Sequence, residues 1–257
     1  MEKITSTQNK LIKYIKKLST DKKYRDETNC FVAETGRAID TLIANEVKCQ
    51  NLVIANNSKY IGKISYFRQL NISVEVVANH VYEMISSLAN ADGIIAVFRK
   101  PSTSFEIMKD RKYIVLDRIQ NPGNLGSIIR TAVALNIAGI VITNESVDLF
   151  HPTIIRSTMG SLFSIPVKFS TSLTDTIQTF KKKGFACYAT GISKNAKQLD
   201  AVKFFTSSVV VFGNEGNGLN KDDIKICDEL IYIPINDKVN SLNVATASAI
   251  IMFKMMN

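Results

Sequence analysis

The chain has 257 residues, 46% hydrophobic and 21% charged, which suits one large or two modest globular domains and excludes a disordered or collagen-like polymer. Its net charge of +9 points to an anionic partner, with RNA, DNA and acidic membranes all open, or to a basic surface that merely aids solubility. Four scattered cysteines without a CxxC pair, only two histidines, a polar start and no membrane-length apolar run argue against a disulfide framework, a metal centre and membrane insertion, and a cytoplasmic location is expected.

The first predicted element is an amphipathic helix over Gln8 to Leu18, with Leu11, Ile12, Ile15 and Leu18 on one face and Lys10, Lys13, Lys16 and Lys17 on the rest. Residues 1–25 hold eight basic against two acidic side chains. Such an excess is either a solvated helix face or a contact for a phosphate backbone, and Lys10, Lys13 and Lys17 are the candidates for the second role. Strand-like runs at 29–34, 51–55, 73–77 and 93–98 then alternate with helix-like stretches at 37–45, 61–71 and 79–88. This describes a small α/β domain over residues 1–100, and a polar stretch with Pro101 reads as a linker over 101–111.

Over 112–257 five Val- and Ile-rich runs recur, Tyr113 to Asp117, Gly139 to Asn144, Ala186 to Gly191, Ser208 to Asn214 and Glu229 to Ile235. Helix-like stretches at 125–136, 153–162, 173–183, 222–227 and 244–256 separate most of them. Near-continuous apolar strands between helices predict an α/β domain whose parallel sheet is covered on both faces. A dinucleotide-binding fold would carry G-x-G-x-x-G directly after its first strand, but the turn there reads DRIQNPGNLG from Asp117 to Gly126. The strongest glycine loop comes late, FGNEGNG from Phe212 to Gly218, and a polar loop follows from Pro234 to Asn243. Two C-terminal loops are therefore the candidate ligand site, beyond the carboxyl ends of the strands. Asp222 and Asp223 are explained by a helix N-terminus, and His151 beside Pro152 is either a helix cap or an RNA contact.

Taken together, NPGNLGSIIRTA (Asn121 to Ala132), VVVFGNEGNGLN (Val209 to Asn220) and IPINDKVNSLNVATASAI (Ile233 to Ile250) resemble three motifs of the SpoU, or TrmH-like, RNA ribose 2′-O-methyltransferases of the SPOUT superfamily. They stand in the family's order and spacing. Ile235 replaces a common methionine and Asp237 a common glycine in the third. The front of the chain is similar to the ribosomal-protein-like RNA-binding domain often fused to this family, through Phe31 to Glu34 followed by Arg37. Thr35 stands where that pattern has glycine, with Gly36 one place later.

The resemblance implies a trefoil-knotted catalytic domain, a homodimer, S-adenosylmethionine bound in the knot and an RNA substrate, 23S ribosomal RNA before tRNA. It places Gly213, Ile233 and Leu242 against the cofactor, with Asn214, Gly216 and Pro234 beside them, although by residue type alone Ile233 and Leu242 read as core. Arg130 becomes the catalytic organiser, framed by Asn124, Glu215, Ser241 and Asn243. Because a guanidinium is very hard to deprotonate, clamping a phosphate and stabilising a developing alkoxide suit Arg130 better than acting as a base. Arg130 follows Asn124 by a helical turn or so, and the two are expected on one side of their helix. Arg37, Arg156 and Ser157 are further candidates for RNA, the last two also for a partner subunit. The rival readings are a tRNA 2′-O-methyltransferase, a base-nitrogen methyltransferase and a non-catalytic RNA-binding protein of the same fold.

Overall fold

The computed structural model describes residues 3–102, 104–143, 145–193 and 195–257. The chain divides into two units, Met1–Ser102 with Asp148–Phe163, and Thr103–Val147 with Ser164–Asn257.

In the first unit, the Asn9 side chain accepts the Leu11 N–H at 2.8 Å and starts α1 (Lys10–Thr20), which buries Ile12, Ile15 and Leu18. Asp21 ends α1 and caps α2 (Lys22–Thr28), a helix with no apolar stripe that the sequence patterning misses. The strands β1 (Cys30–Glu34), β2 (Cys49–Ala55), β3 (Ser73–Val77) and β4 (Ile94–Arg99) form a sheet in the order β1-β4-β2-β3. Only β2 and β3 run parallel in it. Helices α3 (Gly36–Ala44), α4 (Ile64–Gln69) and α5 (Asn79–Ile85) make the connections. The turn into α3 explains the displaced glycine. A Cβ at Gly36 would stand 1.8 Å from the Tyr60 hydroxyl, so glycine is needed there for close approach, while Thr35 is left with a φ of 95°.

The second unit is built on β5 (Lys112–Leu116), α6 (Pro122–Ala134) and β6 (Gly139–Thr143); Asn144, the expected end of that strand, lies outside the described residues. The segment Asp148–Phe163, read from the sequence as part of the second domain, belongs to the first unit. Phe31 of β1 packs on Phe150 and Phe163 at ring separations of 5.3 and 5.4 Å, and Asp148 pairs with the buried Arg25 at 2.7 Å. The segment contains α7 (Pro152–Ser157), and His151 caps it by accepting the Thr153 N–H on Nδ1.

The remaining elements are β7 (Val167–Ser170), α8 (Leu173–Lys182), β8 (Ala186–Thr190), β9 (Lys197–Gln198), β10 (Ser208–Phe212), α9 (Lys221–Ile226), β11 (Glu229–Tyr232) and α10 (Val244–Met256). The seven strands form the expected parallel sheet, in the order β7-β6-β5-β10-β8-β11-β9. Every residue of β6 and β10 is buried, as two covered faces require. From β11 the chain returns past β8 and β10 to lay α10 against α6. Part of the expected linker is integral to this unit. Phe105 and Ile107 pack on its core, and the Tyr113 hydroxyl accepts the Met108 N–H while donating to the Glu106 carbonyl.

Candidate active site

The site forms where the carboxyl ends of β5, β8, β10 and β11 meet. Beyond β5, the N–H of the buried Asp117 donates to the Phe212 carbonyl at 2.8 Å and holds the end of β10 alongside. Asn121 then starts α6, its Oδ1 accepting the N–H groups of Gly123 and Asn124 at 2.8 and 3.2 Å, with Pro122 at the first helical position, where no N–H is missed. The Asn124 side chain thereby faces the late glycine loop.

That loop, 213–218, folds back on itself. Asn214 and Gly218 form an isolated antiparallel bridge, the Gly218 N–H reaching the Asn214 carbonyl at 2.9 Å. The Asn214 Oδ1 accepts the N–H groups of Gly216 and Asn217, both at 3.0 Å, and closes the turn from within. Gly213 lies so close to the other limb that a Cβ on it would stand 2.4 Å from the Gly218 carbonyl carbon.

Glu215 ties the loop to α6. Its carboxylate accepts the Gln120 and Asn121 N–H groups at 3.2 and 3.1 Å and the Asn124 Nδ2 at 3.1 Å. Partial burial opposes its charge, but the Asn124 amide and the N–H groups of Glu215, Asn121 and Gln120 outweigh that and hold the carboxyl below its ordinary range. Asn243 completes the chain: its Nδ2 donates to Asn124 Oδ1 at 3.0 Å while its Oδ1 accepts the Ala245 and Thr246 N–H groups and caps α10. Three motifs far apart in sequence thus meet through Glu215, Asn124 and Asn243.

Beside this chain lies a cavity of about 340 Å³. Ile192, Ile233, Ile235, Leu242 and Val244 supply apolar walls, and the backbone of Gly213 to Gly218 supplies a polar one. Apolar faces with a few fixed polar groups suit a flat heteroaromatic ligand with a polar tail. Among the described residues no group of His, Cys, Asp and Glu gathers in a way that could hold a metal ion.

Of the residues singled out from sequence, Gly213, Asn214, Glu215, Gly216, Ile233, Ser241 and Leu242 line the cavity, and Asn124 and Asn243 join it through the hydrogen-bond chain. Pro234 is not among the lining residues. Arg130 is not brought to the chain either. Six helical positions turn the backbone by about 240°, so Arg130 and Asn124 do not share a face, and Arg130 is exposed with no hydrogen bond or ion pair among the described residues. In the first unit, Lys10, Lys13, Lys17 and Arg37 are exposed, Lys17 lying over the Tyr24 ring at 4.1 Å. Arg156 donates to the Ser87 hydroxyl at 3.3 Å, and the Ser157 hydroxyl donates to the Ile154 carbonyl within its own helix.

Sequence reasoning passes over Arg118, Asn121 and the β8 end, Thr190 to Ile192, all of which build or line the site. The Asn-Pro pair at 121 and 122 is a helix-start signal that could have found the second. Nothing local marks the others, because their role is set by strand order.

Residues 111–253 match the model of the SpoU rRNA Methylase family, and residues 9–96 match an MRM3-like substrate binding domain. The 23S rRNA (guanosine(2553)-2′-O)-methyltransferase RlmP of Bacillus subtilis is 27% identical over 253 residues, 98% of this chain and 98% of its own. The 23S rRNA (uridine(2479)-2′-O)-methyltransferase of Streptomyces viridochromogenes is 30% identical over 169 residues, 63% of this chain and 58% of its own. The AdoMet-bound rRNA methyltransferase of Sinorhizobium meliloti has the same fold, with a TM-score of 0.86 at 29% identity over 99% of this chain and 97% of that one.

Proposed function

Because this chain belongs to the SpoU rRNA methylase family, we propose that it methylates a ribose 2′-hydroxyl of 23S ribosomal RNA with S-adenosylmethionine as the donor. The observation that carries this reading is the single cavity shared by Gly213 and Leu242, joined through Glu215 to Asn124 and Asn243. The residues fit the donor: Ile233, Leu242 and Val244 offer flat apolar surface to an adenine, and Gly213 packs so closely on the Gly218 peptide that a Cβ there would force apart the loop that lines the cavity. When bound, S-adenosylmethionine supplies an electrophilic methyl carbon on a sulfonium.

What the chain itself contributes is position and charge. Asn124 and Asn243 hold the start of α6 and the start of α10 at one separation, so the hydroxyl meets a fixed geometry. Glu215 is a positioning residue and not the proton acceptor, since its carboxylate is occupied by three donors and its proton affinity is lowered. Arg130, exposed and without a hydrogen-bond or ion-pair partner among the described residues, is available to clamp an RNA phosphate and stabilise negative charge on the ribose oxygen as its proton leaves.

Ribosomal RNA is favoured because the two named relatives with assigned positions act on 23S rRNA and because a substrate-binding domain stands in front. The exposed lysines of α1 suit a phosphate backbone. The proposal includes a homodimer, supported by Ile250 and Phe253 of α10, which are 40% and 62% exposed on an otherwise apolar helix. It also includes a cytoplasmic location, consistent with four free thiols.

The test is incubation of the purified protein with methyl-labelled S-adenosylmethionine and unmodified 23S rRNA, followed by digestion to nucleosides. Label on a 2′-O-methylnucleoside is expected. Label on a base, or transfer only to tRNA, would replace the reading, and no transfer to any RNA would favour a non-catalytic binding protein.

A further inference from the structure

The geometry points to Arg118 as a positioning residue that holds the 213–218 loop in the shape able to receive S-adenosylmethionine, an inference that rests on the donor reading of the cavity above. Arg118 follows β5 with a φ of 52°, in the left-handed region that an arginine enters at a cost. Contacts on every side hold it there. Its N–H donates to the Thr143 hydroxyl at 3.1 Å, and its carbonyl accepts the Asn214 Nδ2 at 2.9 Å. Its Nε donates to Asp117 Oδ2 at 2.8 Å, and its Nη2 donates to the Gly218 carbonyl at 3.1 Å.

Each of these contacts has a second anchor. Asp117 is buried, and its other oxygen accepts the Thr143 hydroxyl at 2.7 Å, so the carboxylate cannot swing away and the guanidinium is fixed by it. The Gly218 peptide is then gripped from two directions, its carbonyl by Arg118 from outside the loop and its N–H by Asn214 from inside. Because Gly213 packs directly on that peptide, the position of Gly218 sets the width of the turn that lines the cavity. Arg118 does not line the cavity itself. It acts through Gly218 and Asn214, and its planar fork is what lets one side chain join a carboxylate to a carbonyl.

A loop that reaches its binding shape only part of the time lowers apparent affinity by that fraction and leaves the chemical step largely alone. Losing one charge-assisted hydrogen bond shifts such a balance by roughly 10- to 100-fold. The experiment compares the full-length wild type with Arg118→Ala, Arg118→Lys and Arg118→Gly. Calorimetry gives the affinity for S-adenosylmethionine, steady-state methylation gives KM and kcat, and hydrogen exchange of the ligand-free protein follows amides 214–218.

We expect Arg118→Ala and Arg118→Gly to bind the donor about 10- to 100-fold more weakly, with kcat at saturation within about threefold of wild type and faster exchange at Gly218. Arg118→Lys keeps the pairing with Asp117 but not the fork, and falls between. Arg118→Gly also relieves the left-handed strain, so it retains the fold and separates a loose loop from a misfolded protein. If the wild type binds the donor and Arg118→Gly binds it equally tightly with unchanged exchange, this inference fails and the functional reading stands. If the wild type binds no S-adenosylmethionine, the reading of the cavity fails first and takes this inference with it.

Discussion

A methyl group added at Gly213 would stand 2.4 Å from the carbonyl carbon of Gly218, 2.5 Å from the nitrogen of Leu219 and 2.7 Å from the oxygen of Gly218. All three are backbone atoms, so no rotamer change relieves the clash. Ordinary contact begins near 3.4 Å, and the two limbs of the loop in Gly213→Ala must therefore separate by about 1 Å. That shift carries the Gly218 N–H, now 2.9 Å from the Asn214 carbonyl, out of hydrogen-bond range and strains the Arg118 contact to the Gly218 carbonyl. A neutral bond contributes about 1 kcal/mol and one to a charged group about 1.5–3 kcal/mol, so the loop loses roughly 2.5–4 kcal/mol of its tether. At 1.4 kcal/mol per decade this weakens S-adenosylmethionine binding by about 60- to 700-fold. Calorimetric titration of Gly213→Ala against wild type measures it, with thermal melts of both to confirm folding. A variant that binds the donor within about threefold of wild type, at an unchanged melting temperature, would refute the claim that close packing of Gly213 on Gly218 shapes the site.

Thr35→Gly relieves a β-branched residue held at φ 95° and loses only a long cap contact of 3.4 Å to Ala38, so stability rises by about 1 kcal/mol and the melting temperature by about 2–4 °C; a lower melting temperature would show the strain to be absent. Arg130→Ala is expected to reduce methyl transfer by about 100-fold or more while donor affinity stays unchanged, since the side chain is exposed and outside the cavity lining; equal loss of both would make Arg130 structural. Because the Glu215 carboxyl is lowered in the folded state, its contribution is complete above the ordinary value of 4.5 and is lost as the pH falls through the lowered one. Between about pH 6 and 9, Glu215→Gln should therefore weaken donor binding about 3- to 10-fold without altering the shape of the pH–rate profile, and a profile that shifts would identify Glu215 as a titrating participant.

Much of the second unit was legible because burial on both faces writes itself into composition. The runs of β5, β6 and β10 are almost wholly apolar, and no other element would bury them so completely. The edge strand β7 carried no such signal, since Lys168 and Phe169 face outward over only four residues. Helix α2 was silent for another reason: its buried residue is Arg25, whose partner Asp148 lies 123 positions away, and no window of sequence contains both. The same long-range pair, with Phe31 against Phe150 and Phe163, draws Asp148–Phe163 into the first unit despite its place within the second.

Local chemistry, then, determined the elements, the motifs and the residue types at the site: glycines where the backbone must approach closely, an Asn-Pro pair where a helix begins, lysines where a helix faces water. Which of those residues meet was decided by tertiary structure. Asn124, Glu215 and Asn243 touch because β10 lies beside β5 and the last segment returns past it to α6, and Arg118 reaches Gly218 for the same reason. Spacing along one helix suggested that Arg130 belonged with Asn124, yet a helix turns about 100° per residue and placed it on a different face. Contacts within a few residues follow from local geometry, whereas contacts across a hundred follow from strand order, which no short stretch of the chain encodes.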